Sequence, residues 1–531
     1  GTWHRATSSS SPNAQALFDQ GLRYLYGFNH GAALDSFARA ESADATCAMC
    51  FWAEAVANGP HINNPDLDDA HARAALLAAH KAKALASTAS PVERALIDAI
   101  NLRYSDPPGP RPPLDEAYAR AMMQVHAQFP DDVDVSALAA EALMDLRPWD
   151  QWTSARPGGQ MQPHTQEIID LLASALQKAP THPLANHLWI HLWEQSPTPE
   201  RADDAADRLR TMAPALAHLV HMPSHIDVRR GRFRDAIATS ENALAADRAY
   251  LARTHETGFY LFYVAHNQHM LAYAAMMSAQ KNKALAAVDA MVTSLPSAWL
   301  KDNASVADGI EALPLEVRMR FGMWDEILAA PDFAADLPMS RALRHAARAV
   351  ALAAKGAAAK AGPAEGRAAA DLASARVEAG SLVDEAKALP LDARFGDNDA
   401  HAVLAIASKL VDGELAAAEH KSDDAIRLLR EAVTLEDALK YDEPPDWMQP
   451  ARHALGAVLV NAGKLDEARA VYRDDLERIP NNAWSVLGLS QSLPANASPA
   501  ERAAITKQLA DAWRDADIAP TTSCLCQTRN P

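Results

Sequence analysis

The sequence predicts an all-α protein built from helical hairpins repeated along the chain, and three observations carry that prediction. A Gly-to-Ala spacing of twelve residues recurs at Gly21/Ala33, Gly413/Ala425 and Gly456/Ala468. Alanine is abundant and aromatic residues make up only 6% of the chain, which suits closely packed helices. Strand signals are scarce, with no long Val/Ile/Thr alternation closed by Asn-Gly turns.

The elements follow in order. In "GLRYLYGFNHGAALDSFARA", Gly21 is followed by Tyr24, Ala33 and Phe37, with the turn signal "NHG" between two helical patterns. "SDPPGPRPP", residues 105–113, is the clearest loop. "PERADDAADRLRTMAP", "RGRFRDAIATSENALAAD" and "QKNKALAAVDAMV" read as second helices, with Ala205/Leu209, Ala236/Ser240 and Ala284/Val288 in the small-residue positions. The Ala-rich stretch 345–385 predicts further helices, with a loop at Gly362-Pro363. "GELAAAEHKSDDAIRLLREA" and "GAVLVNAGKLDEARAVYRDDLERIP" repeat the first scheme, the latter closing at Pro480. The expected organisation is a polar tail over 1–13, a repeat region over 14–340 and further helical repeats with a tail over 341–531.

This pattern resembles the tetratricopeptide (TPR) repeat, a helix–turn–helix unit of about 34 residues with small residues where its helices cross. The resemblance implies a right-handed solenoid whose first helices line a concave groove.

Composition narrows the function classes. Lys and Arg number 50 against 68 Asp and Glu, a formal net charge of −18, and no basic run interrupts it. Such a surface repels nucleic acid and anionic lipid. No apolar run has the length of a membrane span. The four cysteines form two close pairs, Cys47/Cys50 and Cys524/Cys526, which points towards an oxidising, extracytoplasmic (periplasmic) setting, although Cys47 and Cys50 also read as small core residues. The sequence leaves the redox state of both pairs open. The chain starts at Gly1-Thr2, so a signal peptide would lie before it.

Histidine carries the functional signal. Nine of the 20 histidines fall between 182 and 269, roughly a threefold enrichment. "NHLWIHLWEQ" holds His187, His191 and Glu194; "HLVHMPSH" holds His218, His221 and His225; "HNQHMLAYAAMM" holds His266 and His269. Their i, i+3, i+4 and i+7 spacings place them on common helix faces, although Pro223 must break or restart the second helix. Registering each preceding helix on Ala205, Ala236 and Ala284 puts His187, His218 and His266 in one repeat position. The TPR resemblance places such positions on the groove surface. Neighbouring helices about 10 Å apart allow imidazoles to meet at one ion.

Imidazole is a common transition-metal ligand, and an all-imidazole set favours copper, then iron or zinc, over magnesium or calcium. Glu194 and Glu256 are the carboxylates that could act as base or ligand, while Phe259, Tyr260, Phe262 and Tyr263 could wall an apolar pocket. His182 reads as a loop or cap residue. The expected function is a copper-dependent oxidoreductase acting on a small molecule in the groove. A zinc hydrolase, a metal carrier and a TPR adaptor gripping a peptide partner are the alternatives; histidine in place of Lys, Arg and Asn argues against an adaptor for acidic peptide ends. Ser224 in "HMPSH" lacks the glycines of a nucleophile elbow, and "CAMC" lacks a thioredoxin-like strand context.

The stretches "LYGFNHGAALDSF", "CAMCFWAEAVANGP", "EALMDLRPWDQW", "HPLANHLWIH", "HLVHMPSHI" and the "SCLC" tail resemble those of a group of exported bacterial TPR proteins. The resemblance marks the histidines as part of that group's pattern. Where those proteins carry Tyr-Tyr-Pro-His-Asn, this chain has "FYVAHNQH", so the approach to His266 differs.

Overall fold

The computed structural model describes residues 2–358 and 365–527. Helices account for nearly all regular structure; the named strands are two-residue segments, Arg394–Phe395 and Asn398–Asp399, paired antiparallel. The helices follow one another as antiparallel hairpins of the TPR-like type. Among the described residues, no helix is long and apolar enough to cross a membrane.

The hairpin register seen in the sequence has a direct physical basis. Gly21 lies against the Phe37 ring, Gly413 against Leu429 and Gly456 against Tyr472, so a methyl group added at any of these glycines would collide with its partner. Each glycine thus admits a large side chain from the second helix of its own hairpin, sixteen residues on. Ala33, Ala425 and Ala468, twelve residues after each glycine, are fully buried at the same crossings. The degenerate hairpins keep this logic, since Ala205, Ala236 and Ala284 are also buried.

Helix Pro338–Ala358 and the helix from 365 to 388 occupy the Ala-rich stretch; the loop expected at Gly362-Pro363 lies outside the described residues. The Pro-rich loop ends sooner than its composition suggests, because Arg111 begins a helix with proline at its start, where a missing N–H costs nothing.

The polar segment at the start of the chain is held by paired charges: Trp3 donates its indole N–H to Asp134, and Arg5 is buried with Nη1 2.8 Å from Asp132 and 2.9 Å from Asp134. The position 340/341 falls inside helix Pro338–Ala358. The two compact units are Gly1–Ile226 with Glu241–Tyr260, and Asp227–Ser240 with Leu261–Pro531. Repeats pack only on their neighbours, so a unit boundary leaves no mark in composition.

Candidate metal centre

The centre of the first unit is built on helix Pro183–Glu194, in which every residue except Trp189 is buried. Its start is fixed by His182, whose Nδ1 accepts the Ala185 N–H and whose Nε2 lies 3.0 Å from Asp134. That cap is one of the two roles expected for His182. Asp134 also receives the Tyr26 hydroxyl at 2.6 Å. Burial would push the Asp134 carboxyl up, but the His182 hydrogen bond and the Arg5 charge outweigh it and hold it well below the usual range. An ionised hub therefore locks the helix start to Tyr26 and to the N-terminal segment.

Tyr26 then reaches the site through its backbone. His187 Nδ1 lies 3.0 Å from the Tyr26 carbonyl oxygen, an acceptor only, so Nδ1 carries the ring hydrogen and Nε2 holds a lone pair. One turn later His191 Nδ1 lies 2.9 Å from Glu194 Oε1, which fixes the same tautomer. Yet His187 Nε2 and His191 Nε2 face each other at 3.0 Å, and His218 Nε2 is also 3.0 Å from His187 Nε2. One ligand atom from each of the three rings falls within 4.8 Å of the others. Two nitrogens bound at about 2.0–2.1 Å to one tetrahedral ion sit roughly 3.3 Å apart, so the spacing fits a shared cation.

The same chemistry recurs beside it. Helix Ala217–His221 stops at Met222 and a new helix begins at Pro223, the break its proline predicts. His221 and His225 nonetheless meet, Nε2 to Nε2, at 2.8 Å. His221 Nδ1 is 3.2 Å from Ser224 Oγ, whose own hydrogen goes to the His221 carbonyl. His225 Nδ1 is 3.3 Å from Glu194 Oε2. The Glu194 carboxylate therefore stands between His191 and His225 and touches both rings on the side away from their Nε2 atoms.

Burial pushes the pKa values of His187 and His191 well below the ordinary imidazole value, with neighbouring histidines adding to the shift. Both rings are thus neutral at pH 7, the form a metal needs.

Aromatic walls complete the site. The Phe28 ring lies 4.4 Å from His187, 4.5 Å from His61 and 5.4 Å from His218, centroid to centroid. Trp149 packs its edge 4.8 Å from His191. Both residues hold positive φ, 54° for Phe28 and 57° for Trp149, a region costly for bulky side chains and concentrated at functional sites. Behind Phe28, His30 and His61 stack at 4.2 Å. His30 Nδ1 hydrogen-bonds the Ala57 carbonyl, while His30 Nε2 and His61 Nδ1 have no hydrogen-bond partner among the described residues.

Sequence reasoning missed Phe28, His30, His61 and Trp149. The only signal was their place in "LYGFNHG", "NGPHINN" and "LRPWDQW".

The remaining expected residues stand as follows. The first unit holds His187, His191, His218, His221, His225 and Glu194 together. Glu256 lies after helix Phe233–Thr254, with Oε1 accepting the Gly258 N–H and Oε2 against Gly31, and none of its hydrogen bonds reaches an imidazole. His266 and His269 are on helix Tyr260–Met277 of the second unit, where His269 is half-buried and desolvation lowers its pKa to about 4. Phe259 is half-exposed and sets its ring 6.3 Å from His61. Tyr260 is buried and donates its hydroxyl to Asp247, while Phe262 packs on Trp299 in the second unit. Tyr263 is buried.

No family model matches the chain, and no curated protein sequence matches it. Solved structures similar to it include the APC/C hetero-tetramer Cut9–Hcn1, at 13% identity over 91% of this chain and 76% of that one, TM-score 0.31. The TPR domain of P58(IPK) aligns at 13% identity over 93% of this chain and 98% of that one, TM-score 0.21. Naa15/Naa10 bound to HypK-THB aligns at 12% identity over 94% and 76%, TM-score 0.20. At these scores the fold assignment rests on the chain's own hairpins.

Proposed function

We propose that the chain is a TPR-like metalloprotein whose first unit binds a transition-metal ion on His187, His191 and His218, with copper favoured and oxidoreductase chemistry as its use. One observation supports this reading above the rest. His187 and His191 both spend their ring hydrogen on a fixed acceptor and then aim two lone pairs at each other at 3.0 Å. Without a cation between them, each buried unmatched nitrogen costs roughly 1–3 kcal/mol. Two such rings plus His218 form a three-nitrogen set, and the His221–His225 pair offers a second position built the same way.

Copper is preferred because the nitrogens that face inward are all imidazole. A three-imidazole set leaves a further position for substrate or an oxidant, and a copper ion held there supplies one-electron redox chemistry. The chain's own residues do the rest. Tyr26 and Glu194 orient the rings, Phe28 and Trp149 exclude water from one side, and His30 and His61 offer nitrogens beyond Phe28 for a small polar substrate. Glu194 is an orienting group here rather than a free base, since Oε1 takes the His191 Nδ1 hydrogen and Oε2 lies 3.3 Å from His225 Nδ1.

A second reading, a scaffold for protein partners, draws on the hairpin architecture itself, which elsewhere serves extended binding surfaces. It accounts for the repeats but not for buried rings with facing lone pairs.

The deciding experiment is elemental analysis of the full chain expressed with copper, iron and zinc supplied together, followed by visible absorption and oxygen uptake. Copper at one or more ions per chain, with a coloured cupric form, supports the reading. Zinc alone would move it to a hydrolase or carrier, and protein free of metal under all supplies would leave the scaffold.

A further inference from the structure

The second unit buries a separate group of metal-capable atoms that the imidazole centre does not use. Cys524 and Cys526 are joined in a disulfide and buried. Glu414, inside helix Ala400–Ala418, is buried against them, with Oε1 3.0 Å from Cys526 Sγ and 3.9 Å from Cys524 Sγ. Gln527 donates its side-chain amide to the other carboxyl oxygen. The segment carrying the cysteines is held firmly. Ser523 bonds the Tyr472 hydroxyl at 2.6 Å and the His453 carbonyl at 2.9 Å, and its own carbonyl accepts from Arg320 at 2.6 Å.

This is a poor setting for a permanently oxidised pair. A disulfide has no hydrogen to donate, so a carboxyl group buried against it gains little. The reduced pair changes the chemistry. Two thiolates and a carboxylate then supply three donors whose ligand atoms lie within 4.8 Å of one another.

Cys524 and Cys526 also line a small cavity together with Arg320 and His453. Two thiolates, one carboxylate, Zn²⁺ and the Arg320 guanidinium together carry no net charge.

We propose that Cys524, Cys526 and Glu414 form a thiol-gated Zn²⁺ site in the second unit. The disulfide excludes the ion and the reduced pair binds it. In the gating step a small dithiol gives two electrons and two protons to the Cys524–Cys526 bond. That bond breaks into two thiols while the dithiol closes its own S–S bond. Binding Zn²⁺ then releases the two thiol protons to solvent, leaving an S, S, O donor set whose fourth position a water can fill.

The test uses the full chain, reduced with a dithiol, freed of it without oxygen, and titrated with Co²⁺. A thiolate-to-cobalt absorption band reports only on a cysteine-containing site, so it separates this site from the imidazole centre. The band is expected in the reduced chain and absent from the oxidised chain. It should be lost in Cys524→Ser and in Cys526→Ser, kept when Cys47 and Cys50 are both changed to Ser, and bleached by Zn²⁺. Glu414→Gln should weaken Zn²⁺ at least about tenfold, the scale on which metal-site partners act. No band in the reduced chain, a band that survives both serine variants, or unchanged Zn²⁺ affinity in Glu414→Gln would overturn the proposal.

Discussion

Two histidines five residues apart on one helix show what separates a structural imidazole from a ligand. His182 and His187 are both fully buried in the first unit. His182 uses both nitrogens on the protein, accepting the Ala185 N–H and pairing with Asp134. His187 matches one nitrogen with the Tyr26 carbonyl and turns the other onto two further imidazole nitrogens. Burial is common to both residues. What differs is whether the second nitrogen meets a group of opposite hydrogen-bonding character.

The largest expected effect breaks the pair at its functional member. His187→Ala removes the nitrogen common to both 3.0 Å contacts, and metal affinity should fall by more than the roughly 100-fold that losing an outer partner can cost. Competition with a chromophoric chelator measures this.

Glu194→Gln should come next, at about 10–100-fold weaker binding, since it leaves the rings in place but removes the anion that fixes the His191 tautomer. Equal affinity in the variant and wild type would show that Glu194 does not orient the site.

His182→Ala should reverse the pattern seen at His187. It removes a helix cap and leaves Asp134 one donor short, so urea unfolding should show a loss of about 1–3 kcal/mol with metal stoichiometry unchanged. If His182→Ala also abolished metal binding at full stability, the distinction between the two residues would fail.

The smallest and most gradual effect is on pH. His187 and His191 have folded pKa values well below the unfolded value near 6.5. Above about pH 6.5 both states carry neutral rings and these groups add no pH dependence. Below it the unfolded chain takes up protons that the folded chain refuses, so metal-free stability should fall steadily with acidification. Bound metal, which needs the same neutral rings, should be released in the same direction. Thermal melts of metal-free protein from pH 7.5 downwards check this; a melting temperature independent of pH below 6.5 would contradict the burial of neutral rings.

Much of the fold was legible because its signal is local. Gly21, Gly413 and Gly456 face large side chains sixteen residues later, and a short sequence window contains both partners. The histidines of helix Pro183–Glu194 were legible for the same reason, since register and the i, i+4 spacing put His187 and His191 on one face. Phe28, His30, His61 and Trp149 were not, because they enter from turns of distant hairpins and no periodicity announces a turn residue. Tyr26 contributes through its carbonyl, which any residue possesses. Glu414 and the Cys524/Cys526 pair are separated by more than a hundred residues, so their meeting became visible only once the chain was folded.

The central claim, that facing imidazole lone pairs in the first unit await a cation, is tested most directly by one paired titration. Metal-free wild type and His187→Ala, both checked for helical content, are titrated with Cu²⁺ against a competing chelator at pH 7.5. The account predicts tight saturable binding in wild type and loss of that phase in the variant. Identical isotherms for the two proteins would contradict it.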